Sequence, residues 1–343
     1  MILIFELSKE HNLLPEAEVL ACFDALEVDY ENILSLKGVL VLKTIELDDS
    51  FVISISRRLA MVHHVSKVLE MCESNEVDIL RTAGKIEVVK DNASFAVRVS
   101  VNKGKFDTMQ LERTIGSELY KKGGRVNLKN PDKLVRVVIT SEVCIFGLLL
   151  HSIDRTQFVR RRPHLRPFFF PGVVLPKIAR TMVNLSRIRE QEILFDPFCG
   201  TGGILIEAGL VGARLICGDV QKRMVLGTKQ NLCGYDIPSD FVLEDACNLA
   251  LKDNSVDAVV VDPPYGRSAR IMAESIEDLY KESMKEIHRV LKIDRRAVIA
   301  SYTPLSEDIK QGFKTTEEYS LRVHKSLTRH IIVLIKVNDL KKD

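Results

Sequence analysis

The amino-acid sequence predicts an α/β protein whose C-terminal half folds as a doubly wound parallel sheet, preceded by an N-terminal α+β region. Short apolar strands alternate with helical stretches from about Glu192 onward, a pattern typical of parallel sheets. A glycine-rich turn follows the first of these strands, and an acidic residue follows each of the next three. Ligands on such sheets bind at the carboxyl ends of the strands, so these residues are the first candidates for function.

Length and composition limit the class of protein. The chain has 343 residues, enough for two or three domains of roughly 100 to 200 residues. Its 46% hydrophobic and 28% charged residues exclude a wholly disordered or fibrous chain. No apolar run approaches the ~18 residues that span a membrane, so we expect a cytoplasmic protein with no membrane partner. Seven scattered cysteines without a C-x-x-C pair indicate reduced thiols and no metal site.

The N-terminal half is predicted to alternate strands and helices, because its apolar residues change between a period of two and a helical period. The Pro- and Arg-rich piece over residues 160–176 has no consistent period and is interpreted as a linker. The predicted elements are strands at 2–5, 38–45, 95–101 and 134–140 and helices at 15–26, 57–70 and 107–120.

One segment concentrates positive charge in a chain whose formal net charge is only +2. Between Lys121 and Arg166 there are eleven basic and three acidic residues, so this segment carries +8 and the remainder −6. Such a concentration of charge is typical of a protein that binds a polyanion through one segment. The alternative is a basic surface that is only solvated. The candidate contacts are Lys121, Lys122, Arg160, Arg161 and Arg162.

The glycine-rich turn spans residues 196–203 and precedes an apolar helix. Clustered glycines let a ligand approach the backbone, and the helix start offers unpaired N–H groups. Leu205 stands where a dinucleotide fingerprint needs its third glycine, and no Gly-Lys-Ser/Thr of a P-loop is present. Asp196 would repel a pyrophosphate, but it can accept a hydrogen bond from the ammonium of an amino-acid moiety. A structural turn without ligand is the alternative to a cofactor site formed by Asp196, Phe198, Gly200, Thr201, Gly202 and Gly203.

Acidic residues after the next two strands extend the candidate cofactor site. Asp219 lies 19 residues beyond Gly200, where a carboxylate can accept hydrogen bonds from ribose hydroxyls. Asp245, which precedes Ala246, can reach an adenine exocyclic amine. Taken alone, either aspartate could equally cap a helix or solvate a loop.

The fourth strand ends in Asp262-Pro263-Pro264-Tyr265-Gly266. Two prolines fix two φ angles and remove two donors, so the loop is rigid and presents acceptors. The carboxylate of Asp262 and the carbonyl of Pro263 can both accept from one amino group, and Tyr265 offers a flat face for a base. Stacking of this kind contributes roughly 1 to 3 kcal/mol in nucleic-acid sites. Asp262, Pro263 and Tyr265 are the candidate catalytic residues, with a Pro-rich structural turn as the alternative.

These motifs resemble known families. The D-P-F-x-G-T-G turn with D-P-P-Y-G resembles the class I S-adenosylmethionine-dependent methyltransferases that act on exocyclic amines. Residues 95–150 resemble a THUMP domain, found in enzymes that modify tRNA and rRNA. Residues 161–168 and 175–185 resemble the connecting segment of archaeal tRNA guanosine N2-methyltransferases that modify position 10.

The resemblance implies four parts: a ferredoxin-like region at 1–50, a THUMP RNA-binding domain at 51–155, a linker at 156–184 and a Rossmann-like methyltransferase domain at 185–343. It also implies an enzyme that uses S-adenosylmethionine to methylate the exocyclic N2 amine of a tRNA guanosine at position 10. One alternative is a non-catalytic RNA-binding protein that retains the fold, and another is the same chemistry on rRNA or DNA.

Several properties stay open at this point. The sequence does not decide between one methyl group and two, and the methylated nucleotide follows from the resemblance alone. Some relatives in this family need a small zinc-binding activator subunit, and the sequence leaves that requirement and the oligomeric state open.

Overall fold

The computed structural model describes residues 1–88, 93–264, 275–324 and 327–338. The chain forms two compact units that alternate along the sequence. The first comprises Met1–Glu16, Val28–Arg57 and Val62–Asp154, and the second comprises Ala17–Glu27, Arg58–Met61 and the chain from Arg155 onward. Among the described residues, no helix is both long and apolar enough to cross a membrane.

The elements follow one another in an alternation of strands and helices. The helices are α1 (Leu14–Ala25), α2 (Asp49–Arg58), α3 (Glu76–Ala83), α4 (Thr108–Lys121), α5 (Thr156–Arg160), α6 (Pro176–Leu185), α7 (Gly203–Gly209), α8 (Lys222–Cys233) and α9 (Ile276–Val290). The strands are β1 (Ile2–Leu7), β2 (Tyr30–Leu36), β3 (Val39–Thr44), β4 (Val62–Glu73), β5 (Ser94–Val101), β6 (Arg125–Val126), β7 (Lys133–Ile139), β8 (Val143–Ser152), β9 (Ile193–Asp196), β10 (Arg214–Asp219), β11 (Asp240–Leu243), β12 (Val256–Val261), β13 (Leu291–Ser301), β14 (Phe313–His324) and β15 (Leu327–Lys336).

The first unit is built on a mixed sheet whose described strands have the order β2-β3-β1-β4-β8-β7-β5-β6. Helices α3 and α4 bury Ile79, Ile115 and Leu119 in a core shared with β5 and β7. Asp107 starts α4 by accepting a hydrogen bond from the N–H of Gln110 at 3.0 Å, as an N-cap residue does. The predicted α+β character of this half is confirmed.

The helix predicted over residues 57–70 is wrong, because this stretch forms most of β4. In the sheet, β4 lies between β1 and β8. Val62, Val65 and Val68 recur every third residue, which suggests a helix. The pairing with β8 shifts register between Val65 and Ser66 and again after Val68. Such bulges interrupt the alternation of buried and exposed side chains along a strand, so the sequence pattern no longer indicates a strand.

The second unit contains a sheet of the order β11-β10-β9-β12-β13-β15-β14. Strands β9 to β13 pair in parallel, whereas β15 runs antiparallel to β13 and β14. Their apolar side chains form a core under α9 that includes Val259, Ile287 and Ile299. The predicted doubly wound parallel sheet is confirmed, except that β15 runs antiparallel between β13 and the edge strand β14.

Helix α1 supplies this unit with a buried carboxylate, Glu18. Glu18 accepts hydrogen bonds from the N–H groups of Ala60 at 3.0 Å and Met61 at 2.7 Å and from the side-chain amide of Asn184 at 3.0 Å. Burial raises the pKa of Glu18, and these hydrogen bonds oppose the increase. The carboxylate thus joins three segments that are distant in sequence.

We predict that Glu18→Ala destabilises the protein by roughly 3 to 5 kcal/mol, because several buried donors lose their acceptor at about 1 to 3 kcal/mol each. Glu16→Ala is the matched control, since Glu16 accepts from the exposed side chain of Ser35, and it should cost under about 1 kcal/mol. The chain has no tryptophan, so urea unfolding is followed by circular dichroism. Equal losses in the two variants would contradict the role of Glu18.

Candidate functional site

A cavity of about 900 Å³ lies at the carboxyl edge of the parallel strands of the second unit. This is where doubly wound sheets bind ligands. Ten of the residues predicted from sequence line it: Asp196, Phe198, Gly200, Thr201, Gly203, Asp219, Asp245, Ala246, Asp262 and Pro263. Gly202 lies in the same loop. Tyr265, the remaining candidate, lies outside the described residues.

The glycine loop after β9 owes its shape to positive φ angles. Gly200 has φ +53° and Gly202 has φ +74°, a region that side chains rarely adopt. A Cβ on Gly202 would also lie 2.9 Å from the Thr228 methyl carbon. Both the positive φ angle and this close approach therefore require glycine at position 202. The Thr228 hydroxyl donates to the carbonyl of Gly200 at 2.9 Å, and the Asn231 amide donates to that of Thr201 at 2.9 Å. Side chains of α8 therefore fix the loop from behind.

Asp219, at the end of β10, holds two loops with its carboxylate. Oδ2 accepts from the N–H of Gly200 at 3.1 Å, and Oδ1 accepts from the N–H of Gln221 at 2.8 Å. Each oxygen has a second lone pair, so the carboxylate can still accept from a ligand hydroxyl. Burial raises the pKa of Asp219, and the two backbone hydrogen bonds oppose the increase. Asp219 therefore fixes the backbone at Gly200 and Gln221 and still has lone pairs for a ligand.

Asp196 is a buried carboxylate on the cavity wall. Its Oδ1 accepts a hydrogen bond from the N–H of Phe198 at 3.0 Å. Burial raises the pKa of Asp196 well above its usual range, and the nearby charges of Asp219 and Asp262 add to the increase. A cavity with several carboxylates in a poorly solvated wall favours a cationic ligand.

The loop after β11 contributes Asp245 and Ala246 to the cavity wall. Asp245 accepts from the N–H of Cys247 at 2.9 Å, which fixes its side chain. The preceding Glu244 accepts from the N–H of Ala250 at 2.9 Å and does not line the cavity. Of the two adjacent acids, the structure therefore presents Asp245 to a ligand.

Asp262 and Pro263 follow β12 and complete the wall. The Asp262 carboxylate pairs with Arg329 on β15, with Oδ2 of Asp262 3.4 Å from Nη2 of Arg329. Sequence reasoning missed Arg329, because no sequence pattern indicates that β15 brings this residue to Asp262. It also missed residues 170–174, which belong to the segment interpreted as a linker and line the cavity. These residues show no periodic pattern.

The basic candidates have different environments. Arg161 is buried and paired with Glu207 on α7, with Nε donating to Oε1 at 2.7 Å and Nη2 to Oε2 at 3.0 Å. Its guanidinium therefore connects the residue after α5 to α7 and does not face solvent. Arg160 and Arg162 are exposed. In the first unit, Lys121 and Lys122 are exposed as well, and they contact Glu118 and the carbonyl of Ile86.

Two family models match the chain. The model described as RMKL-like, methyltransferase domain matches residues 163–331. The THUMP domain model matches residues 74–149. The first match contains the whole cavity wall, and the second lies within the first unit.

Curated relatives and solved structures match over nearly the full length. The tRNA (guanine(10)-N2)-dimethyltransferase of Methanothermobacter thermautotrophicus is 40% identical, covering 96% of this chain and 98% of that protein. Its counterpart in Pyrococcus abyssi is 33% identical over 82% of this chain and 86% of that protein. The crystal structure of TrmN from Thermus thermophilus covers 98% of this chain and 100% of its own, with a TM-score of 0.58 and 20% identity. At that identity the structural likeness shows a shared fold.

We predict that affinity for S-adenosylmethionine falls as the pH is lowered from 7.5 to 5. Burial raises the pKa of Asp196, so this carboxylate takes up its proton at a higher pH than an ordinary aspartate does and then no longer offers a charged acceptor to a ligand ammonium. One linked proton changes the dissociation constant by at most about tenfold per pH unit. Calorimetry on Asp196→Asn should show weaker binding at pH 7.5 and a shallower pH dependence. A variant as steep as the wild type would contradict the assignment.

Proposed function

The chain belongs to the tRNA (guanine(10)-N2)-dimethyltransferase family, and from this premise we propose that it methylates the exocyclic N2 amine of guanosine 10 in tRNA. S-adenosylmethionine is the methyl donor of such an enzyme. The observation that carries the proposal is the position of Asp262 and Pro263 on the wall of the cavity that also contains the glycine loop. An acceptor for an amine and a site for a cationic donor thus share one cavity.

The cavity residues fit the donor. A volume of about 900 Å³ lies at the upper end of the range of small-molecule sites. Asp196 would accept from the ammonium, Asp219 from the ribose hydroxyls and Asp245 from the adenine amine, while Phe198, Ala246 and the glycine loop shape the wall. When bound, S-adenosylmethionine supplies a strongly electrophilic methyl group on a sulfonium.

The chain's own contribution to the reaction is mainly positioning. The guanine amine is a weak nucleophile because its lone pair is delocalised into the ring, and orientation of two reactants can contribute roughly 7 to 11 kcal/mol. Asp262 and the Pro263 carbonyl would accept from the amine and stabilise positive charge developing on nitrogen. Asp262 would take the proton afterwards, because a carboxylate is too weak a base to remove it before the nitrogen becomes cationic.

The target base must leave the RNA stack to reach this cavity, at a cost of a few kcal/mol. Tyr265 would stack on the flipped base. We propose that the THUMP domain at 51–155, with Lys121 and Lys122, and the exposed pair Arg160 and Arg162 provide the RNA contacts that offset this cost, while residues 185–343 hold the chemistry.

Two successive transfers are proposed, because the relatives of highest identity reported above are named dimethyltransferases. The first transfer leaves one N–H on the amine, which Asp262 could orient again. Mass spectrometry of nucleosides from digested tRNA distinguishes one methyl group from two and maps the nucleotide. The same assay with rRNA or DNA as acceptor tests the alternatives of substrate. A chain that binds tRNA and transfers no methyl group would support the non-catalytic alternative.

A small zinc-binding activator subunit and a cytoplasmic location also belong to the proposal. Methyl transfer to tRNA by the purified chain, measured with and without such a subunit, tests the need for an activator. The proposed tRNA substrate supports a cytoplasmic location.

We predict that Asp262→Ala lowers kcat for methyl transfer by at least about a hundredfold, because general acid–base and orienting groups typically contribute that much. Asp262→Asn preserves the packing and should be similarly impaired. Affinity for S-adenosylmethionine should change less than about threefold, or 0.7 kcal/mol. Transfer of radioactive methyl to tRNA and calorimetry measure the two quantities. Asp253→Ala, which removes an acid paired with Arg289, is the control, and an Asp262 variant within tenfold of wild type would contradict the role.

We predict that replacing Arg160 and Arg162 with alanine flattens the salt dependence of tRNA binding. Each phosphate contact contributes roughly 0.7 to 0.9 to the slope of log affinity against log salt, so the loss is about 1.4 to 1.8 for two contacts. Arg161→Met should instead lower the melting temperature, because it leaves Glu207 with less compensation. An unchanged slope in the double variant would support a solvated basic face.

A further inference from the structure

We propose that Arg329 is a positioning residue for methyl transfer, which orients the carboxylate of Asp262 and is itself held by Tyr302. The inference rests on the proposed function, because it assigns Asp262 to the target amine.

The sheet topology brings Arg329 to the reaction edge. Strands β9 to β13 are parallel, and their carboxyl ends form the cavity wall. Strand β15 runs antiparallel to β13, with His330 opposite Ser301. The residues that begin β15 therefore lie beside the residues that end β12 and β13. An arginine at position 329 reaches the cavity edge from a strand that contributes none of the sequence motifs.

Among the described residues, Arg329 contacts the side chains of Asp262 and Tyr302 at this edge. Its Nη2 lies 3.4 Å from Oδ2 of Asp262 and donates to the hydroxyl oxygen of Tyr302 at 3.0 Å. Its guanidinium carbon also lies 5.5 Å from the centre of the Tyr302 ring, within the range of a cation–π contact. The side chains of Arg329 and Asp262 are 5% and 13% exposed. The pair is thus largely removed from water, where charges interact more strongly.

A second buried arginine of the same sheet shows what a purely structural role looks like. Arg296 on β13 pairs with Glu317 at 3.0 Å and donates to the carbonyl of Leu185 at 3.4 Å. None of these partners lines the cavity. Arg329 differs in that its anionic partner is the residue proposed to face the amine.

The pairing has a chemical consequence for Asp262. A carboxylate can rotate about its Cβ–Cγ bond, and a donor fixed on one oxygen limits that rotation. Holding Oδ2 sets the direction of Oδ1, so the acceptor is oriented before the base arrives. Pre-orientation of this kind is what lowers barriers in reactions dominated by positioning. The Tyr302 hydroxyl and ring restrict the guanidinium in turn.

The test compares Arg329→Met, Arg329→Lys and Tyr302→Phe with Arg296→Met in the full chain. We expect Arg329→Met to lower kcat for tRNA methylation by about tenfold to a hundredfold, the scale of a small misplacement of reacting groups. Binding of S-adenosylmethionine, measured by calorimetry, should change less than threefold. Arg329→Lys should regain part of the rate, and Tyr302→Phe should lose severalfold. Arg296→Met should lower the melting temperature and leave kcat of the folded enzyme within threefold.

Two results would overturn the inference. The first is an Arg329→Met enzyme with kcat within threefold of an active wild type, whereas a wild type that transfers no methyl group would overturn the proposed function instead. The second is independent of activity: additive melting-temperature shifts for Arg329→Met and Asp262→Ala in a double-mutant cycle would show that the two side chains do not interact. Non-additive shifts are expected.

Discussion

The position of the glycine loop depends on one buried carboxylate, that of Glu207. Arg161 binds both of its oxygens, and Arg180 on α6 lies 2.9 Å from Oε2. The Phe158 ring lies against both guanidinium groups, 5.0 and 5.9 Å from their carbons. Glu207 sits on α7, which starts directly after the glycine loop, so the pairing connects the loop to α5 and α6. Removing one member of such a buried ion group leaves a charge without compensation, at a cost of about 3 to 5 kcal/mol.

Buried charged groups lie on both sides of the glycine loop. Cations surround Glu207 behind the loop, while Asp196, Asp219 and Asp262 face or border the cavity on the other side. Burial raises the pKa of Asp196 and of Asp219, and a cationic ligand beside these carboxylates would favour their charged forms.

Much of the site was predictable because its residues follow strands that share one edge. Asp196, Asp219, Asp245 and Asp262 could be grouped from sequence on that argument alone. Three consecutive arginines at and after the end of α5 could not be separated in this way, because no sequence pattern distinguishes them, and only the packing shows that Arg161 turns inward. Residues 170–174 were not predicted to line the cavity, because an irregular segment has no hydrophobic period. Arg329 was not predicted either, because strand pairing brings it to Asp262 from a distant part of the sequence.

Helix α1 has a consequence for how the protein is made. Glu18 and Asn184 are 166 residues apart along the chain, so at about 5 to 20 residues per second the helix waits roughly ten seconds or more for its partner during synthesis. During this time the ribosome completes two segments of the other unit, which can then fold: Val28–Arg57 and Val62–Asp154. In topological terms the first unit is largely an insertion in the second. Deletion of residues 1–154 therefore also removes Ala17–Glu27 and Arg58–Met61 from the second unit. Isolating that unit requires joining residue 27 to residue 58 and residue 61 to residue 155.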